Sequence, residues 1–179
     1  MANSPDTSRL EAIERRVEVL EERLLPDGEA SLPRKTAPGD DPLWALHELR
    51  LRRSQREETA DGAVLFTGSL DLPTGESVSW QEGVGTRAML EADWSDFAAS
   101  LAALGHPVRL EILKHILLGT RGTADLAEID GLGTTGQLHH HLRELRGAGW
   151  VKQSGRGRYE VAAARVVPLL ITLVAAGDR

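Results

Sequence analysis

Cysteine is absent from this 179-residue chain, which removes disulfides as a source of stability and excludes a thiolate metal site. Missing too is an apolar run long enough to cross a bilayer, and the opening Met1-Ala2-Asn3-Ser4-Pro5 has no secretory signal pattern. With 41% hydrophobic and 27% charged residues, the chain is expected to be soluble and cytoplasmic, with no membrane partner. It also lacks a Ser-centred elbow, a glycine-rich phosphate loop, a zinc-protease histidine pair and paired carboxylates in a catalytic setting. No catalytic residue and no cofactor are therefore expected, and the chain does not read as an enzyme. Lysine is scarce beside arginine while alanine and glycine are abundant, a composition typical of high-GC bacterial coding sequence.

What is present is an uneven distribution of charge. The net charge is −6, but the two halves differ in sign. From Gly105 to Arg179 ten Lys or Arg face seven Asp or Glu, a surplus of three; from Met1 to Leu104 eleven face twenty, a deficit of nine. A modest basic surplus in the C-terminal half suits moderate, salt-sensitive binding to a polyanion by a dimer, and the acidic half opposes non-specific binding.

The N-terminal half divides into three stretches. In residues 1–25, Leu10, Ile13, Val17, Leu20 and Leu24 alternate three- and four-residue steps, the a/d seam of a coiled-coil helix. Two heptads are marginal alone, so the helix either pairs with its copy in a dimer or packs on a globular surface. Residues 26–41, opened by Leu25-Pro26-Asp27-Gly28, read as a flexible linker. Residues 42–92 read as an accessory, dimerisation or sensor region: an amphipathic helix carrying Leu43, Trp44, Leu46, His47, Leu49 and Leu51, then a hairpin of 62–72 and 76–81 about the turn Pro73-Thr74-Gly75. So small a unit should pack on the rest of the chain or on a second subunit. Trp44, Trp80 and Trp94 lie in this half; they either pack in a core, the favoured reading, or line a pocket for an apolar or cationic effector of unknown identity. Arg50, Arg52, Arg53 and Arg56 read as a solvated helix end rather than a DNA contact.

Residues 93–179 carry the clearest pattern. Thr123 to Ile129 makes a short helix with Thr123 as its N-cap, broken by Gly131 and Gly133. Thr134-Thr135-Gly136-Gln137 is a capping box that starts a second helix at Thr134. From there Leu138, Leu142 and Leu145 point toward a core, and Gly136, His140 and Arg143 lie opposite. Gly147 and Gly149 offer left-handed caps, and 150–153 and 158–161 flank Ser154-Gly155-Arg156-Gly157 as a hairpin. This succession is a winged helix-turn-helix. The fold class is therefore mostly α with small β-hairpins: a winged domain preceded by a helix-and-hairpin unit and a coiled-coil helix. Such a domain reads duplex DNA, with Thr134, Thr135, Gln137, His140 and Arg143 toward the major groove and Lys152, Arg156 and Arg158 on the backbone. Gln137 suits adenine, and Arg143 a guanine or a phosphate.

The run Ala103-Leu104-Gly105-His106-Pro107-Val108-Arg109-Leu110-Glu111-Ile112-Leu113, with the stretch from Thr134 to Val151, resembles the ArsR family of bacterial winged-helix transcriptional regulators. The resemblance covers roughly the C-terminal half. It implies a homodimer on a palindromic operator, usually a repressor, joined through helices flanking the winged domain. One such helix carries Trp94, Phe97, Leu101 and Leu104 on one stripe. The other, 165–174, is apolar nearly all round and includes Leu169, Leu170 and Leu173; its expected destination is a subunit interface. The family's metal ligands are Cys-x-Cys or Asp, His and Glu on the last helix, and neither set is present, so no metal is expected. Consecutive His139, His140 and His141 diverge by about 100° per residue on a helix and cannot converge on one ion; His140 is expected toward DNA, His141 beside the leucines and His139 on the flank. His106 and His115 read as a helix start and a partly buried structural imidazole. The alternative function is a protein-interaction module in which the winged fold no longer binds an operator and the coiled coil and hairpin recruit a partner.

Overall fold

The computed structural model describes residues 41–53 and 55–177; Leu10, Ile13, Val17, Leu20 and Leu24 and the linker up to residue 40 lie outside the described residues. The chain divides into two units, Met1–Ala45 and Leu46–Arg179. Of the first, residues 41–45 are described. There the Leu43 N–H donates to Asp41 Oδ1 at 2.8 Å, an Asx turn that leads into the helix. Helix α1 (Trp44–Arg53) begins at this point and buries none of its residues. Of its leucines and the one just before it, Leu43, Leu46 and Leu51 are exposed and Leu49 is half-buried.

Among the described residues the architecture is mostly helical with two small antiparallel hairpins. Strands β1 (Ala63–Asp71) and β2 (Ser77–Gly85) pair from Ala63 opposite Gly85 to Asp71 opposite Ser77. Their turn is closed by Leu72 N–H to the Glu76 carbonyl at 2.8 Å and Gly75 N–H to the Leu72 carbonyl at 2.9 Å. Gly75 holds φ +84, a conformation a Cβ would oppose. Beta-2 runs four residues beyond the predicted end at Gln81, because pairing with 63–66 overrides the poor strand propensity of Gly83 and Gly85.

Helix α2 (Thr86–Glu91) leads to α3 (Ser95–Leu104), α4 (Pro107–Leu117), α5 (Thr123–Ala127), α6 (Thr135–Gly147), β3 (Lys152–Gly155), β4 (Arg158–Glu160) and α7 (Ala163–Ala176). The main core gathers Ile112, Leu113 and Ile116 of α4, Leu126 of α5, Leu138, Leu142 and Leu145 of α6, and Trp150. Each fully buried leucine there contributes roughly 1.5–3 kcal/mol. A second cluster joins Val78 of β2 to Val166 and Val167 of α7, with Phe66 and Leu70 against them. The first hairpin and α7 thus share a core inside the unit Leu46–Arg179.

That packing corrects the expectation that α7 is given over to a subunit interface. Val166, Val167 and Leu169 are buried within the chain, and only the outer side, with Leu173 and Val174, is exposed. An all-apolar helix finds part of its cover in the β1–β2 hairpin. No helix among the described residues is long and apolar enough to cross a membrane.

Candidate nucleic-acid interface

Helix α4 starts at a tight corner after α3. His106 is its N-cap, with Nδ1 accepting from the Val108 N–H at 3.2 Å, and Pro107 occupies the first turn, where its missing N–H costs nothing. Three residues on, Arg109 donates to the Ala102 carbonyl at 2.7 Å and to that of Ala103. A cation on the final carbonyls of α3 satisfies orphan acceptors and complements the helix dipole. The motif His106-Pro107-Val108-Arg109 is therefore the joint that fixes α4 against α3.

Helix α5 differs in detail from its predicted start. Its N-cap is Gly122, and Thr123 is already in the helix with its N–H bonded to the Gly157 carbonyl at 2.8 Å. The tip of the β3–β4 hairpin thus takes the first donor of α5, and no side chain caps the helix. Gly131 and Gly133 then turn the chain with φ +87 and +84, and α6 begins after Thr134.

The capping box is formed in both directions. Thr134 Oγ1 accepts from the Gln137 N–H at 3.4 Å, and Gln137 Oε1 accepts from the Thr134 N–H at 2.8 Å. Leu138, Leu142 and Leu145 are buried, and Thr135, Gly136, His139, His140 and Arg143 are exposed. The amide oxygen of Gln137 is thus committed to the helix start. A bidentate grip on adenine needs that oxygen and the amide nitrogen together, so the cap stands in competition with it.

His141 turns inward. Its ring centroid lies 4.7 Å from that of His106 and 5.6 Å from that of His140. Its Nδ1 is buried with no hydrogen-bond partner among the described residues. Desolvation first, then the neighbouring His106, Arg109 and His140, hold its pKa below the ordinary imidazole value. His106, His140, His141 and Gln137 border a cavity of about 310 Å³ between α4 and α6. Among the described residues no group of three or more His, Asp or Glu is arranged to hold a metal ion.

After α6, Gly149 takes φ +74 and carries the chain into the second hairpin, whereas Gly147 stays helical. Lys152 pairs with Glu160 at 2.8 Å across the strands, and this neighbour lowers the Glu160 carboxyl pKa. Lys152 is therefore neutralised within the hairpin. Arg143, Arg156 and Arg158 are exposed and have no carboxylate partner among the described residues. Beneath the hairpin, Arg121 donates to Glu76 of the first hairpin's turn, at 3.3 Å through Nη1 and also through Nη2. The carbonyl of the same Arg121 accepts from the Tyr159 N–H at 2.9 Å. The Glu76–Arg121 link joins residues 45 positions apart, and nothing in the local sequence pattern marks it.

The tryptophans also depart from expectation. Trp80 and Trp94 are exposed, each anchored locally, Nε1 of Trp94 to the Met89 carbonyl at 2.8 Å and Nε1 of Trp80 to Glu82 at 3.3 Å. Trp44, in the other unit, is exposed as well. None of these three tryptophans belongs to the core, contrary to the favoured expectation. The core tryptophan is Trp150, 4% exposed, whose Nε1 donates to the Ser100 carbonyl at 2.9 Å while Arg165 lies 5.3 Å over its ring. Its place directly after Gly147-Ala148-Gly149 gave no periodic signal.

The predicted dimer residues divide in two. Trp94, Phe97 and Leu101 are 62%, 43% and 57% exposed, whereas Leu104 is buried. On α7, Leu169 belongs to the core, Leu170 is half-buried and Leu173 is exposed. No protein-family model matches this chain, and no curated protein matches it.

Proposed function

We propose that the protein is a sequence-specific DNA-binding transcriptional regulator of the winged helix-turn-helix kind, resembling ArsR proteins and acting as a homodimer. The observation that carries this reading is the pairing of α6 with the β3–β4 hairpin. A reciprocally capped helix buries three leucines and leaves Thr135, His140 and Arg143 outward, and the hairpin that follows holds two exposed arginines, Arg156 and Arg158, with no carboxylate partner among the described residues. Helix α6 would enter the major groove, with Arg143 on a base or phosphate, and the hairpin arginines would hold the backbone. Thr134 is the cap of α6 and Gln137 its reciprocal partner, so they orient the helix before they read anything. Lys152 ranks behind Arg156 and Arg158 because Glu160 neutralises it. The exposed stripe Trp94, Phe97 and Leu101 on α3 is the proposed dimer seam, and regulation of a palindromic operator as a repressor follows from the family resemblance.

The test is selection of bound duplexes from a random pool at moderate salt. An enriched inverted repeat with half-sites about 10 base pairs apart supports the dimeric regulator. On the selected site, Arg143→Ala should cost about 1–3 kcal/mol if it reads a base, and Arg156→Ala should lower the salt slope by about one. Equal losses on specific and random duplexes would reject a base contact for Arg143, and no enrichment at all would reject the regulator.

A further inference from the structure

We propose that the cleft enclosed by the turn of the first hairpin, α4 and α7 is a binding site for a small lipophilic cation, an unbranched aliphatic body with one ammonium head beside Asp71. The cleft has a volume of about 470 Å³, within the range of small-molecule sites. Nine leucines and Pro73 line it, among them Leu72 from the hairpin, Leu117 from α4, and Leu170 and Leu173 from α7. It contains no hydroxyl, amide or aromatic side chain. Away from the three charged residues of the rim, a sugar, nucleotide or peptide would find no side-chain hydrogen-bond partner there, and burying such groups unpaired is costly. A hydrocarbon has no hydrogen bonds to forfeit there.

The rim decides the head group. Its charged residues are Asp71, Glu111 and Lys114. Lys114 Nζ lies 3.1 Å from Glu111 Oε2, so these two cancel. Asp71 accepts a hydrogen bond from Ser77 Oγ and has no cationic partner among the described residues. The rim therefore keeps one net negative charge, which attracts a monocation and repels a carboxylate. The same hairpin turn carries Glu76, whose partner Arg121 is bonded through its carbonyl to β4. A ligand wedged against Leu72 and Pro73 thus bears on the element tied to the second hairpin. That effector role rests on the regulator proposed above; the binding site does not.

Calorimetric titration of the full chain with decyltrimethylammonium, kept below its micelle concentration and without DNA, tests the site. One molecule should bind per chain, tightening by up to about fourfold for each methylene added between the octyl and decyl compounds. Leu173→Trp, on the exposed outer wall, should fill the cleft and weaken binding at least tenfold. Leu118→Trp, at the exposed rim, serves the same end if the first variant disturbs α7. Asp71→Asn should reduce the affinity to that of 1-decanol. Non-saturable uptake, binding unchanged in both tryptophan variants, tighter binding of decanoate, or a halved molecular mass on Leu173→Trp would each overturn the proposal, the last by showing the cleft to be a contact between copies. Saturable binding together with a failed duplex selection would leave the site standing and remove the regulator; the reverse would remove only the site.

Discussion

The imidazoles of His106 and His141 stand 4.7 Å apart at 45°, one capping α4 and the other on the inner side of α6. Because His106 spends Nδ1 on the Val108 N–H and Nδ1 of His141 is buried without a partner, a proton on His141 would be poorly solvated. It would also face Arg109, His106 and His140, against the single opposing carboxylate Glu144.

A pH dependence of stability follows. The folded pKa of His141 is lowered, so below about pH 6.5 the unfolded chain binds the proton more readily than the folded one. Its stabilising contribution is complete above that pH and declines as pH falls through the window beneath it. The lowered carboxyls of Glu76, Asp93 and Glu160 act in the same sense, but only in the more acidic carboxylate range. Thermal melts between pH 8 and 5.5 should show a falling Tm, and His141→Phe should flatten that slope. An equal slope in the variant would assign the dependence to another group.

Gly68 of β1 is expected to tolerate nothing larger. An added Cβ would lie 2.8 Å from Cγ1 and 3.0 Å from Cγ2 of Val167, and that valine is buried and stiff about χ1. The strand or α7 must therefore move, and Gly68→Ala should destabilise by about 1–3 kcal/mol. Denaturant melts check this directly. Gly75→Ala, where a Cβ would meet open space but φ is +84, provides a comparison in which backbone strain acts alone.

The contrast between Leu138 and Trp94 shows what was legible beforehand. Local rules suffice for a cap followed by leucines at helical spacing, so α6 and its buried face were readable, as were the two hairpin turns. The fate of an apolar stripe depends on what arrives from elsewhere in the chain. Leu169 and Trp94 both sit on such stripes, yet the first is covered by the chain's own packing and the second is bare. The Glu76–Arg121 tie and the seat of Trp150 were illegible for the same reason, because their partners are distant in sequence. Gln137 was readable in two roles at once, and geometry gives its oxygen to the cap.

The bare stripe on α3 is expected to close between two copies. Phe97→Glu with Leu101→Glu replaces two exposed side chains, so folding should survive while the apolar seam becomes self-repelling. Sedimentation should then report half the mass of the unmodified protein, with an unchanged far-ultraviolet spectrum. A dimer that persists in this variant would move the interface away from Trp94, Phe97 and Leu101.

Gln137 offers a way to separate structure from recognition in one residue. Its Oε1 accepts the Thr134 N–H, a role a carboxylate fills as well, with added attraction to the positive end of the helix dipole. Gln137→Glu should therefore hold the Tm or raise it slightly, whereas Gln137→Ala should lose about 0.5–2 kcal/mol of stability through the broken capping box. On a selected duplex the order reverses. The glutamate keeps the cap but loses the amide donor and meets phosphate repulsion, so it should bind more weakly than the alanine variant. If Gln137→Glu instead binds the duplex as tightly as the unmodified protein, Gln137 contributes only the cap, and base reading passes to the exposed side chains of α6, Arg143 foremost.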